Sequence, residues 1–228
     1  MTNKSLSSLI IKLNRNKNQE GFYLIPLSEK VDFGKVWLSI PTKQDNVLHP
    51  NGPFNFYFIK NKDEKYIGVV LDMVTDLHWF VLKKFRRQGH LLMALNQTIL
   101  PHLFLDRKEQ KITIKELSME PKDFAASKKV ALTVGFKNVT RDEYVIYKND
   151  VPEISAIFNK KFALTEQRME DIKKQINFIG RSLWLIQTEI ESKFVNNEYS
   201  NKLKKMSEDI LDETYKFEDE YWIEKNKK

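Results

Sequence analysis

Between Val81 and Leu92 the chain reads Val-Leu-Lys-Lys-Phe-Arg-Arg-Gln-Gly-His-Leu-Leu. An apolar strand runs into a basic turn with one glycine, and the turn opens an apolar helix. A helix start leaves its first N–H groups without intrahelical acceptors, at the positive end of the helix dipole. Gly89 lets the backbone come close to a ligand, and Lys83, Lys84, Arg86 and Arg87 add positive charge. Those features together suit a phosphate or pyrophosphate. Proton chemistry has its own candidates. Asp76 and His78 alternate onto one face of the strand before the turn, and Glu116 falls on the next predicted strand. A carboxylate or imidazole there can deprotonate an ammonium, directly or through water, with Asp72 a lesser alternative. The competing reading of all of them is a solvated or hydrogen-bonded polar strand face.

Other chemistries lack their residues. There is no Cys, so there is no thiol nucleophile, disulfide framework or Cys-type zinc site. The histidines at 49, 78, 90 and 102 have no ligand spacing, and no metal site is expected. Neither Gly-x-Ser-x-Gly nor a Walker pattern occurs. Trp79, Phe80 and Phe85 among basic residues could form a stacking surface for nucleic acid. Burial by strand alternation accounts for Trp79 more economically, so nucleic acid is not the expected partner.

The elements that must position these residues follow from periodicity. Residues 1–20 read as a polar arm with a weak amphipathic turn or two. Gly21–Leu27 is a predicted strand, Val36–Ile40 a strand or short helix, and 41–53 a loop with two prolines and Asn-Gly. Asn55–Lys60 and Tyr66–Met73 flank a charged turn and predict a β-hairpin, followed by a strand over Asp76–Leu82. A helix is predicted from about His90 to Leu100, where Pro101 can kink or stop it. Lys111–Leu117 alternates as a half-buried strand, Pro121–Val134 predicts a helix capped by Gly135, and Tyr144–Lys148 a last strand. Beyond that, Phe162, Met169, Ile172, Ile176, Ile179, Leu183, Ile186 and Ile190 form an apolar seam of coiled-coil type. Asn196-Asn197 breaks it, and Leu203, Met206, Ile210, Phe217 and Tyr221 continue on a second helix. The expectation is an antiparallel helical hairpin over 160–228, appended to a mixed α/β domain over 21–150.

Composition sets the frame. The 228 residues are 41% apolar and 12% aromatic, too rich in core formers for a disordered chain. The uncharged stretch Leu91–Leu105 is shorter than the ~20 apolar residues a spanning helix needs. Met1–Lys17 has no apolar region of signal-peptide type, so a cytoplasmic location without membrane contact is the default expectation. The formal net charge of +7 is unevenly spread. Residues 150–228 hold 14 Lys+Arg and 16 Asp+Glu, against 24 and 15 in 1–149, which places −2 in the tail and +9 in the body. A basic body calls for a polyanionic ligand.

The segment from Val81 to Leu91 resembles motif A of the GCN5-related N-acetyltransferase (GNAT) superfamily, Gln/Arg-x-x-Gly-x-Gly/Ala between the fourth strand and its helix. Arg86 and Gly89 match the first two positions, and Leu91 replaces the third. Gly135-Phe136 is similar to the Gly-Phe after the family's last core helix, and the elements over about 21–148 fall in the family's order. The resemblance implies a GNAT-like mixed sheet with flanking helices. It also implies transfer of an acyl group from acetyl-CoA or another acyl-CoA to an amine in a ternary complex. Val81, Leu82, Lys83, Arg86, Arg87, Gln88, Gly89, His90 and Leu91 would then bind the cofactor, with Val81 serving the pantetheine arm. His78, Asp76 and Glu116 would be the candidates for proton removal. Ala131 stands where the family often has a Tyr that protonates the leaving thiolate. That replacement motivates the alternative of a GNAT-fold domain that binds CoA or a partner without turnover. The amine acceptor is not written in the chain. The tail is expected to self-associate into a homodimer or to dock a protein partner.

Overall fold

A computed structural model describes residues 1–15, 20–45, 52–118, 120–151, 164–194 and 198–227. The chain divides into two compact units, Met1–Lys160 and Lys161–Lys228.

In the first unit, β1 (Phe22–Ser28), β2 (Val31–Val36), β3 (Phe54–Lys60), β4 (Tyr66–Asp72) and β5 (Leu77–Val81) form an antiparallel sheet in chain order. Alternation along β3 sends Phe56 and Phe58 to one face and Tyr57 and Ile59 to the other, and both faces are buried. Helix α1 (Asn3–Asn14) covers the first face with Leu6, Ile10 and Leu13. Within the expected polar arm, α1 is therefore part of the core. Its spacing of four and then three is a single helical stripe, too short for its Ser, Lys and Asn neighbours to reveal. Thr2 caps it by accepting the Ser5 N–H. The Val36–Ile40 expectation also shifts, because β2 ends at Val36.

The second face is covered from the helix after the basic turn. It starts as α2 (His90–Ala94), widens into a π turn over Leu95–Ile99 and ends as α3 (Leu100–Leu103). Pro101 has no N–H to offer Gln97, and one residue earlier the Leu100 N–H reaches five residues back to Leu95. The proline thus coincides with a π turn, and the helix runs on to Leu103. Helix α4 (Pro121–Val134) has Pro in its first turn, and Gly135 closes it while the Phe136 N–H bonds the Ala131 carbonyl.

Three more strands, β6 (Glu109–Thr113), β7 (Lys137–Asn138) and β8 (Glu143–Tyr147), make a separate antiparallel sheet in the order β6–β8–β7. The single mixed sheet expected from the resemblance is replaced by two antiparallel ones, with no ladder between β5 and β6 among the described residues. Side chains bridge the sheets where β5 begins. Gln110 Nε2 donates to the Thr75 carbonyl at 3.2 Å, and the Thr113 N–H donates to Asp76 Oδ1 at 2.9 Å.

The second unit is a pair of 29-residue helices, α5 (Glu166–Phe194) and α6 (Glu198–Asn226), packed together antiparallel. Cross-links occur at matched heights: Glu166–Lys225, Lys173–Glu218 at 2.6 Å, Gly180–Ser207 and Gln187–Ser200. A Cβ on Gly180 would lie 3.2 Å from Leu211, so this glycine marks the close crossing. Phe162 and Asn196-Asn197 lie outside the described residues. No helix among the described residues is long and apolar enough to cross a membrane.

Candidate functional site: the basic turn after β5

Strand β5 is an edge strand, paired with β4 from Leu77–Asp72 to Val81–Gly68. Leu77 and Trp79 face the core beneath α2 and α4, while Phe80 faces the side covered by α1. After Val81 the chain makes a short 3₁₀ turn over Lys83–Phe85 and then a tight connection to α2. Two residues in that connection are left-handed, Arg87 at φ 63° and Gly89 at φ 78°. The helix ladder opens with the Met93 N–H on the Gly89 carbonyl, so the N–H groups of His90, Leu91 and Leu92 have no intrahelical acceptor. A Cβ placed on Gly89 would meet nothing within 4 Å. Its backbone angle favours glycine there, and the space before it is open.

The basic residues divide into two groups. Lys83, Lys84 and Arg87 are exposed around the turn. Arg86 turns inward, with Nε donating to the Val81 carbonyl at 3.0 Å and Nη1 to both carboxylate oxygens of Asp123 at 2.9 and 3.1 Å. It ties the end of β5 to the first turn of α4. Gln88 donates to the Lys84 carbonyl and sits 3.3 Å from the His90 ring nitrogen, bracing the turn from outside. Trp79 Nε1 reaches Ser127 of α4 at 3.5 Å. Leu82 and Leu91 are half-buried, Leu91 against the core.

The three proton-transfer candidates sit in different surroundings. His78 lies on β5 with Nε2 at 3.1 Å from Asn3 Oδ1, under the start of α1. Burial pulls its pKa below the ordinary value, the N-terminal ammonium adds to that, and Asp76 opposes both. Asp76 precedes β5, and its Oδ1 accepts the backbone N–H groups of Leu77 and Thr113, a structural clasp between the sheets. Glu116 departs from expectation. Strand β6 ends at Thr113, and Glu116 falls in an exposed 3₁₀ turn with its carboxylate 3.7 Å from Arg141. Alternation through Leu117 outlasts the pairing, which closes with the Ile114 N–H on the Asp142 carbonyl.

Two polar arrangements were not foreseen from the sequence. Asp72, almost fully buried, receives both arms of Arg107 at 2.6 and 3.0 Å and also accepts the Val74 N–H. That last bond holds Val74 at φ 70°, an uncommon angle for a β-branched residue. Asp32 accepts from Lys60 Nζ at 2.9 Å and the Tyr66 hydroxyl at 2.6 Å. Burial raises the Tyr66 pKa and the carboxylate of Asp32 adds to the rise, so the phenol stays protonated. Arg107 and Asp123 carry no motif, and only a fold that brings 35 and 37 residues of chain back on themselves reveals them.

No group of three or more His, Asp or Glu that could hold a metal ion occurs among the described residues. Ala131 is fully buried, so no side chain from that position of α4 reaches solvent or a ligand. Compared with protein-family models, curated proteins and solved structures, the chain matches none of them.

Proposed function

We propose that the first unit is an acyl-CoA-dependent N-acyltransferase domain, with acetyl-CoA as donor and a primary amine as acceptor. One observation carries the reading. An edge strand ends at Val81 beside a turn whose glycine is left-handed, faces open space and leads into a helix start with uncommitted N–H groups. Such a turn can receive a pyrophosphate on backbone donors, with Lys83, Lys84 and Arg87 supplying the surrounding field. An extended pantetheine arm would run along the side of β5 that has no ladder partner. Arg86 acts here through position, because its guanidinium is engaged by Asp123 and Val81.

In the proposed reaction the amine nitrogen attacks the thioester carbonyl, the C–S bond breaks, and the thiolate leaves as the amide forms. The acceptor ammonium must first lose a proton. His78 is the better placed of the candidates, being neutral near pH 7 and having one ring nitrogen held by Asn3. Asp76 is occupied by two backbone donors, and Glu116 stands on an exposed turn. Protonation of the thiolate would fall to water.

A second reading, a CoA-binding domain without turnover, draws on the burial of Ala131 and on helix α1 over the His78 face. Calorimetry with acetyl-CoA at moderate salt tests what both readings share, and no heat of binding sinks both. Release of free CoA thiol over a panel of amines and peptides then separates them. Turnover is the expected result; tight binding with no thiol release from any acceptor favours the binder.

A further inference from the structure

Between β5 and β6 two side chains stand where a backbone ladder would otherwise run. The bonds that join β5 to β4 fix which of its groups face outward. The Leu82 N–H goes to the Ile67 carbonyl, and the Met73 N–H goes to the Asp76 carbonyl. By alternation His78 and Phe80 also pair inward, so the N–H and C=O groups of Leu77, Trp79 and Val81 point to the open edge. Strand β6 is read the same way. The Ile114 N–H on the Asp142 carbonyl and the Lys148 N–H on the Lys108 carbonyl turn Gln110 and Ile112 toward β8. Lys111 and Thr113 then present their backbone groups to β5. Two outward edges lie side by side without pairing.

Complementary groups fill the gap between them. Asp76 Oδ1 accepts the Leu77 N–H of one edge at 2.8 Å and the Thr113 N–H of the other at 2.9 Å. Gln110 Nε2 donates to the Thr75 carbonyl at 3.2 Å on one side and to the Lys111 carbonyl at 3.0 Å on the other. Gln110 is fully buried, and its Oε1 accepts from Arg107, which is itself forked onto Asp72. That contact turns the amide so that its nitrogen faces the two carbonyls. Each side chain satisfies both edges at once and keeps their backbones from bonding directly. Further along, no backbone hydrogen bond joins β5 to residues 114–118 among the described residues. The Val81 carbonyl is taken by Arg86 Nε, whereas the Trp79 N–H and C=O and the Val81 N–H have no protein partner among the described residues.

The chain carries the residues that could close this edge, and they do not. Alternation in the sequence continues to Leu117, and counting on from Thr113 beside Leu77 sets Lys115 against Trp79 and Leu117 against Val81. Instead β6 stops at Thr113 and Leu117 is 98% exposed. Unpaired backbone groups cost free energy, and an edge strand that keeps them is a template for another extended chain. We infer that Asp76 and Gln110 are positioning residues that hold the β5 edge unpaired as far as Val81, so that an amide-bearing chain takes the place of the missing strand. This inference rests on the acyl-CoA reading, in which that chain is the pantetheine arm of the donor. Its two amides supply the carbonyl and N–H partners that Trp79 and Val81 lack.

The first measurement uses the unmodified full chain without ligand. Amide hydrogen exchange, followed residue by residue by NMR, should be fast at Trp79 and Val81 and slow at His78 and Phe80. Equal protection along the strand overturns the proposal, whatever acetyl-CoA does. Saturating acetyl-CoA should then slow exchange at Trp79 and Val81, and binding that leaves both fast also overturns it. No heat of binding with acetyl-CoA removes the acyl-CoA reading, while the exchange contrast still decides whether the edge is held open. Asp76→Ala with Gln110→Met takes away both side-chain bridges. That variant should bind acetyl-CoA about tenfold or more weakly in calorimetry and exchange more slowly at Trp79 and Val81, as the two edges close. A loss of affinity accompanied by faster exchange throughout β5 would mark a merely structural role and overturn the proposal, as would unchanged affinity. Asp76→Asn keeps an accepting oxygen and should recover most of the affinity that Asp76→Ala loses; no recovery counts against the bridge.

Discussion

Arg86 and Gly89 sit three residues apart in one turn and carry different loads. Gly89 is held at φ 78° with nothing near its missing side chain. An alanine there costs about 1 kcal/mol of backbone strain, while asparagine tolerates the angle far better. Both put atoms into the open space before the turn. Gly89→Asn should therefore leave the melting temperature nearly unchanged and still weaken acetyl-CoA binding in calorimetry. Full affinity in that variant would place the ligand elsewhere. Arg86 is a brace whose fork spans a carbonyl and a carboxylate, a geometry that lysine cannot copy. Arg86→Lys should cost roughly 1 kcal/mol, since both partners are partly exposed. Asp123→Asn should cost a similar amount, and the double variant little more, in urea unfolding. His78 adds a pH dependence with a definite sign. Its folded pKa is depressed, so between the ordinary value of about 6.5 and the folded one the unfolded chain binds more protons. Stability then falls as pH drops through that window and levels off below it. An NMR titration of the His78 ring should give a midpoint under 6.5, and His78→Gln should flatten that part of the stability profile.

Elements whose cause is local were legible in the sequence, and those whose cause is a distant partner were not. The β3–β4 hairpin, the start of α2 and the span of α4 with Gly135 as its cap all follow from residues adjacent in the chain. The turn after β5 was legible for the same reason. Helix α1 was missed because its three core residues earn their place only against β4 and β5. Strand β7 has two residues and exists only through Val145 and Tyr144 of β8. Of the site, the backbone turn could be read in advance, whereas Arg86 read as a phosphate ligand because nothing local announces Asp123. The hairpin shows the same limit. The seam was visible, yet the face that α6 takes was decided by Gly180, which reads as a defect in isolation. Gly180→Leu should force the α5–α6 crossing open at a cost of about 1–3 kcal/mol. Hydrogen exchange should quicken in both helices near Gly180 and Ser207 and stay unchanged in the β3–β4 hairpin. Equal protection in the variant would mean that the helices do not depend on this close approach.

At the scale of the whole molecule the two units differ in what can stabilise them. The first has a sheet buried on both faces and a basic surface turn. The second is a two-helix hairpin whose interface includes Gly180, Ser200, Ser207 and Thr214, small or polar side chains that bury little apolar area. Met169, Leu203 and Tyr221 are the buried apolar side chains between the helices, and at about 25 cal/mol per Å² of apolar surface they supply less than the sheet buried on both faces. Ligand binding then separates the units experimentally. Two transitions are expected in scanning calorimetry of the full chain. Acetyl-CoA at about one hundred times its Kd should stabilise the first unit by ~2.7 kcal/mol, raising that transition by several degrees and leaving the other in place. A ligand that shifts both transitions together would show that the units melt as one cooperative body.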